Sequence, residues 1–430
     1  MTILRGVFQL ILSAVLFTAS CVAAACDAPD VNTKALFQLL EKPQTTAATI
    51  LQFARSHRFK SFPLNESCET PVLAAIRLDR EDLLPILSKE QGNPKLDMPQ
   101  LAYIPGTLKD SMYSYALRFG TLKMLETFKA KGAGDLSIVC ANENDYPRSG
   151  VFPKGCTDLQ IASSANPNVD LIQDLIAKGS PVNVNAANSQ GKTALMYAGH
   201  NLSPAIIPAL LQAGADAKAT AQADFTLIYG PYHHLIKDET VLMFAAGQGA
   251  PAAAISALLQ ANPNAGASTS SGETALMLAA LGGAKADVIT VLLQASANIN
   301  AKTPEGNTAL IMAGIGAAPV ETISALLQAT PEIDAVNTDG DSALLIAVKN
   351  NASIESIQAL LNAHANVNLT NNEKTTALMN AAWIGSAELI KALIQAGAKL
   401  SDTDKNGKSA LDNAKLIHRS ADILALLTTH

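Results

Sequence analysis

Tryptophan is nearly absent from this sequence, with one residue in 430, and all aromatic side chains together make up only 4%. A chain so poor in large rings does not build the aromatic-walled cleft of many small-molecule sites. Its 48% apolar content must come from small aliphatics such as Ala and Leu, which suit close helix packing. Charge is also scarce, at 16%, and its balance is negative, with a net charge of -6 and a pI near 5.7. No basic surface is left for phosphate backbones, which excludes nucleic acid as a partner. Beyond the N-terminus there is no run of about 20 uninterrupted apolar residues, so no stable membrane span is expected. The motifs of catalysis are missing as well. There is no Gly-rich phosphate loop with a lysine, no nucleophile elbow and no paired His on a helix with an acidic partner. Catalysis needs a convergent nucleophile, base and orienting group, or a metal. The expectation is therefore a non-catalytic protein without a cofactor.

The first 25 residues read as a secretory signal peptide. Arg5 is followed by an apolar run from Val7 to Phe17 and by small residues ending in Ala23, Ala24 and Ala25. Removing them leaves Cys26, Cys68, Cys140 and Cys156, an even set in an oxidising compartment, the periplasm or the extracellular space. Two disulfides are expected, and of the three connectivities Cys140 with Cys156 and Cys26 with Cys68 is favoured, the first closing a polar loop. Lipidation at Cys21 or Cys26 is the competing reading, against which stands the missing Leu three residues earlier.

What the sequence has in abundance is one phrase. It appears as KTALMYAG at 192, ETVLMFAA at 239, ETALMLAA at 273, NTALIMAG at 307, DSALLIAV at 341 and TTALMNAA at 375. Taken from the hydroxyl residue of each phrase, Thr240, Thr274, Thr308, Ser342 and Thr376 follow one another at intervals of 34. A second pattern follows each phrase: ISALLQA at 255, ITVLLQA at 289, ISALLQA at 323, IQALLNA at 357 and IKALIQA at 390. Its apolar residues recur every three or four positions, which marks one buried face of a helix. Turns such as TPEG at 303, NTDG at 337 and DKNG at 404 close the units with a glycine suited to an unusual backbone conformation. One unit is therefore two short antiparallel helices and an extended loop. Alone it exposes apolar surface on both sides, so stability must lie between stacked neighbours.

This pattern resembles the ankyrin repeat family, whose unit of about 33 residues carries a T-P-L-H-x-A-A phrase, a V-x-L-L-L-x-x-G-A second helix and a D-x-x-G hairpin. Thr274, Leu276, Ala279 and Ala280 match the first phrase, and Val291, Leu292, Leu293, Ala297 and Asn300 the later part. Thr376, Leu378, Ala381, Ala382, Gly397 and Ala398 repeat the agreement in register. With Thr70, Ser111, Thr157, Thr193 and Ser409 heading further units, the resemblance implies an all-α solenoid of about ten helix-turn-helix units with β-hairpin loops. The array would run over 67–430, with insertions over 67–238 and regular units over 239–430, behind an N-terminal helical cap at 26–66. Two departures stand out. Ala replaces the Pro at 194, 275, 309, 343, 377 and 410, and the His position holds Met196, Met243, Met277, Ile311, Leu345 and Met379. Losing that His removes hydrogen bonds expected at the hairpin base, and the methionines read as core filler.

Irregular spacing points to function, because insertions map to loops on one side of a solenoid. The step from Thr193 to Thr240 is 47, and its surplus carries Phe225, Tyr229, Tyr232, His233 and His234. Three readings of it stay open: an aromatic anchor for a partner, a folded-down hairpin, and a metal site on the adjacent histidines. Against the last, neighbouring residues on an extended strand point apart. The step from Ser111 to Thr157 is 46, with its surplus bracketed by Cys140 and Cys156.

By resemblance, partners bind hairpin tips and the residues just after the Ala-Ala pair. Those positions are His200, Asn201, Gln248, Leu281, Ile315, Lys349, Asn350, Trp383 and Ile384, joined by Tyr229, Tyr232 and His233 of the insertion. Trp383 is either an exposed contact or an indole packed between units. The expected function is a monomeric, non-catalytic scaffold outside the cytoplasm, binding a protein on its concave face and hairpin loops. The alternative is a metal-binding or enzymatic activity carried by 220–237.

Overall fold

The hydroxyl that opens each phrase is a helix cap. In the computed structural model, Thr240, Thr274, Thr308, Ser342, Thr376 and Ser409 hold extended backbone ahead of a helix. Each side-chain oxygen accepts the N–H three residues on, at 3.2 to 3.3 Å. Every helix begins with N–H groups that have no partner within the helix, and this bond satisfies one of them. That is why Ser and Thr alone occupy the position.

The structure describes residues 31–42, 44–46, 49–50, 52–53, 157–178, 184–188, 191–201, 203–221, 225–229, 232–236, 238–262 and 264–428. The expected signal peptide, the units headed by Thr70 and Ser111, and Cys21, Cys26, Cys68, Cys140 and Cys156 lie outside these residues. The chain forms two compact units, one of residues 1–162 with 173–180 and the other of 163–172 with 181–430. In the first, the expected N-terminal cap contributes the helix Val31–Glu41, with Leu36 and Leu40 buried. Thr157 opens the helix Asp158–Ala165 with a reciprocal cap, its hydroxyl accepting Gln160 N at 3.2 Å and its N–H donating to Gln160 Oε1 at 2.9 Å.

The second unit is a stack of helix pairs. Its first helices are Ala194–Tyr197, Val241–Gly247, Ala275–Leu281, Ala309–Ile315, Ala343–Lys349, Ala377–Ile384 and Ala410–Leu416. The second helices are Ile206–Gln212, Ala252–Ala261, Ala286–Gln294, Val320–Gln328, Ile354–Asn362, Ala387–Gln395 and Ala421–Thr428. A seven-residue helix does not persist alone in water. Here first helices pack on first helices and second on second, so each is held by its neighbours. All seven residues of Val241–Gly247 and of Ala275–Leu281 are buried. Met196, Met243, Met277 and Met379 are buried too, alongside Ile311 and Leu345 of the same position, which makes them core.

Hydrogen bonds then tie unit to unit. Thr322 Oγ1 donates to Ala284 O at 2.7 Å and Ser356 Oγ to Ala318 O at 2.9 Å, each reaching the preceding pair. Hairpin tips join through Thr338 N to Glu305 O at 2.8 Å, Asn372 N to Asp339 O at 2.8 Å and Lys405 N to Glu373 O at 3.0 Å. Turn side chains brace the base of each hairpin. Thr303 Oγ1 accepts Asn307 N at 3.3 Å, Asn337 Oδ1 accepts Asp341 N at 2.9 Å, Asn371 Oδ1 accepts Thr375 N at 3.0 Å, and Asp404 Oδ1 accepts Lys408 N at 2.9 Å.

The described elements are helical apart from the insertion before Thr240. There β1 (Phe225–Tyr229) and β2 (Tyr232–Ile236) form an antiparallel hairpin. It grows from the Thr220–Thr240 bridge and the bonds of Ala221 N to Glu239 O and of Asp238 N to Ala221 O, so the surplus residues lengthen a loop that elsewhere closes in a tight turn.

Candidate partner-binding surface

Seven residues after the hydroxyl that opens each phrase the chain leaves its first helix, and the residues there form a row: His200, Gly247, Leu281, Ile315, Lys349, Trp383 and Leu416. The row changes character along its length. Leu281 is 5% exposed, Ile315 is partly buried and Lys349 is exposed. Trp383 and Leu416 are 48% and 45% exposed. The cause lies in the following unit. A Cβ at Gly316 would overlap the Leu281 carbonyl oxygen, so glycine there lets the next unit close down on Leu281. Beside Trp383 the next unit presents Arg419, whose Nη2 donates to the Trp383 carbonyl and leaves the indole open.

Two expected contact residues are interior, which corrects their assignment to an accessible surface. Leu281 is one. The other is Asn201, 4% exposed, whose Nδ2 donates to Ser163 O at 3.0 Å and Asn166 O at 2.7 Å. It satisfies carbonyls of the preceding helix pair, a packing task that the matching position hides in sequence. Asn350 does the same more openly, donating to Ile315 O at 3.1 Å while part-buried. Gln248 and Ile384 are partly buried. The backbone places His200 at the end of a 3-10 turn. Tyr229 pairs with Tyr232, and His233 and His234 occupy successive ladder positions opposite Ile228 and Leu227. Leu416 was missed by sequence reasoning, although counting seven from Ser409 finds it.

A second row, directly before the hydroxyls, was also missed: Lys192, Glu239, Glu273, Asn307, Asp341, Thr375 and Lys408. Its first members are charged and buried. Lys192 and Glu239 are each 1% exposed, and Lys192 Nζ lies 4.4 Å from the centre of the Phe244 ring. Neither Glu239 oxygen has a hydrogen-bond partner. Burial raises the Glu239 carboxyl to about 7, against the pull of Lys192 and helped by the Glu273 charge. Burial also lowers Lys192 to about 7, opposed by Glu239. Glu273 accepts the Thr269 hydroxyl. Asp341, also buried, accepts Asn371 Nδ2 at 3.0 Å and faces Lys349 Nζ at 3.5 Å. These groups come from successive units and face the interior of the stack.

Among the described residues no group of three or more His, Cys, Asp and Glu side chains could hold a metal ion. No described helix is long and apolar enough to cross a membrane. A family model described as ankyrin repeats (3 copies) matches residues 225–303, 242–339, 283–371, 315–404 and 344–430, overlapping placements that span the regular helix pairs. No curated protein matches the chain. The capped helix pairs, their stacking and the placement of that model agree: residues 225–430 of this chain are ankyrin repeats.

Proposed function

We propose that the chain is a non-catalytic scaffold outside the cytoplasm, holding another protein against the open end of the first-helix row. Ankyrin repeats are protein-interaction modules, which supplies the class of function. The observation that carries the specific reading is Trp383. An indole left 48% exposed at a position that buries Leu281 three units earlier is a costly surface choice, and large aromatics of this kind anchor protein interfaces. The frame around it is stiff, since caps, glycine contacts and inter-unit hydrogen bonds fix each helix end. Such a frame presents contacts without ordering cost on binding.

The extracytoplasmic location rests on the signal pattern of residues 1–25 and on the even cysteine set after it. In this reading the array continues toward the N-terminus through the units headed by Thr157, Ser111 and Thr70, to about ten in all. Cys140 and Cys156 then staple the loop between Ser111 and Thr157.

The test is affinity capture from a native extracytoplasmic extract, with bound proteins identified by mass spectrometry, using the wild-type chain and Trp383→Ala. The expected result is a partner that wild type retains and the variant loses, with the unfolding midpoint of the variant nearly unchanged. Unchanged capture together with a large loss of stability would show the indole to be core and overturn the proposal.

A further inference from the structure

We propose that the open end of the row docks an acidic amphipathic segment of the partner protein, with its apolar side chains on Trp383 and Leu416 and its carboxylates toward Lys349, Lys415, His418 and Arg419. This rests on the scaffold reading and names the chemistry of its partner.

The apolar half of the argument is geometric. Trp383 and Leu416 hold the same position in neighbouring units, and their helices, Ala377–Ile384 and Ala410–Leu416, pack directly. Packed helices lie roughly 8–10 Å apart. Two turns of a bound helix advance about 10 Å over seven residues, so apolar anchors at i and i+7 reach both rungs. Arg419 joins the two units at this point, donating to the Trp383 carbonyl, so the rungs are held as one surface.

The polar half is a local reversal of charge. The chain carries -6 overall, yet the helices that end the row and the turns after them, residues 343–352, 377–386 and 410–420, hold Lys349, Lys415, His418 and Arg419 against one carboxylate, Asp412, which lies near Lys415. Asp341 stands near Lys349 Nζ at 3.5 Å, but its side chain is only 4% exposed while that of Lys349 is 50% exposed, so the ammonium still faces a ligand. A protein segment fits this surface better than a lipid bilayer. Among the described residues the exposed large hydrophobics are Val336, Trp383 and Leu416, too few and too localised for insertion into a membrane.

The experiment selects a randomised 16-residue peptide library displayed on phage against the full chain, and in parallel sediments the chain with anionic phosphatidylglycerol vesicles. Trp383 is the sole tryptophan, so its fluorescence reports occupancy of the site directly. The expected consensus is net negative with apolar residues seven apart. Selected peptides should shift the Trp383 emission, bind at least tenfold more weakly to a Lys349→Glu/Lys415→Glu variant and weaken as salt is raised. A basic or uncharged consensus, or binding that survives Leu416→Ala unchanged, would overturn the inference. So would vesicle binding that Leu416→Ala abolishes. If the natural partner is still lost by Trp383→Ala under any of those outcomes, the scaffold reading stands and only the partner chemistry fails.

Discussion

The helix pair headed by Thr193 and the pairs headed by Thr274 through Ser409 meet the same packing demand by different means. In the regular pairs the hydroxyl caps its helix. Thr193 makes no such bond, its Oγ1 is buried without a partner, and the helix it heads is only four residues long before passing into a 3-10 turn. That region carries a buried polar cluster instead: Asn188 Nδ2 donates to the Tyr197 hydroxyl at 2.7 Å, Lys192 lies over Phe244, and Glu239 of the next unit is buried beside them. The next capping phrase there comes 47 residues later instead of 34. Helix-on-helix stacking tolerates that insertion, because the surplus leaves as a hairpin, and Thr240 directly after it caps its helix as the regular hydroxyls do.

The largest expected effect breaks the regular side of this comparison. Gly316→Ala places a methyl into the Leu281 carbonyl and forces neighbouring units apart, which should cost about 1–3 kcal/mol. Gly266→Ala, where the nearest atom beyond its chain neighbours would lie 3.9 Å away, should change stability by only about a few tenths of a kcal/mol. Denaturant unfolding of both variants checks the pair, and equal effects would remove close approach as the reason for the glycine.

A smaller effect separates the two capping regimes. Thr376→Ala should cost about 1 kcal/mol, because it orphans the Met379 N–H. Thr193→Ala should be near neutral, since it deletes a buried hydroxyl that bonds to nothing. Hydrogen exchange at the following helix should accelerate in the first variant alone.

A third effect depends on pH and belongs to the irregular side. The folded Glu239 carboxyl titrates near 7, above its ordinary 4.5, so the folded state keeps a proton that the unfolded chain releases. Its stabilising contribution is therefore full below 4.5 and is lost as pH rises through 7. Lys192 is shifted the opposite way, and its contribution is lost as pH falls from 10.5 through 7. Glu239→Gln should accordingly gain on wild type in thermal midpoint as pH rises from 4.5 to 7. A flat difference across that window would place the Glu239 carboxyl in water.

Much of this was readable in the residues. The interval of 34, the hydroxyl at its head and the i, i+3, i+4 apolar spacing demanded capped helix pairs, because each rests on local backbone geometry. His364 stands where Gly397 does in the next unit, and the two share a left-handed backbone with φ of 65 and 89. The row of contact positions was legible as a row but not as a surface. Leu281 and Trp383 occupy one register and are both apolar, yet only the second is open. Lys192 and Glu239 looked like ordinary polar residues ahead of a cap, and nothing local announced their burial.

The order of helices, their caps and the family they compose follow from the chain itself, since a period and a hydrogen-bonding pattern are written residue by residue. Which rung faces solvent was decided by the neighbouring unit: a glycine at 316 lets the stack close over Leu281, while Arg419 beside Trp383 leaves the indole uncovered. Exposure belongs to a contact between units, and that contact exists only once they have stacked.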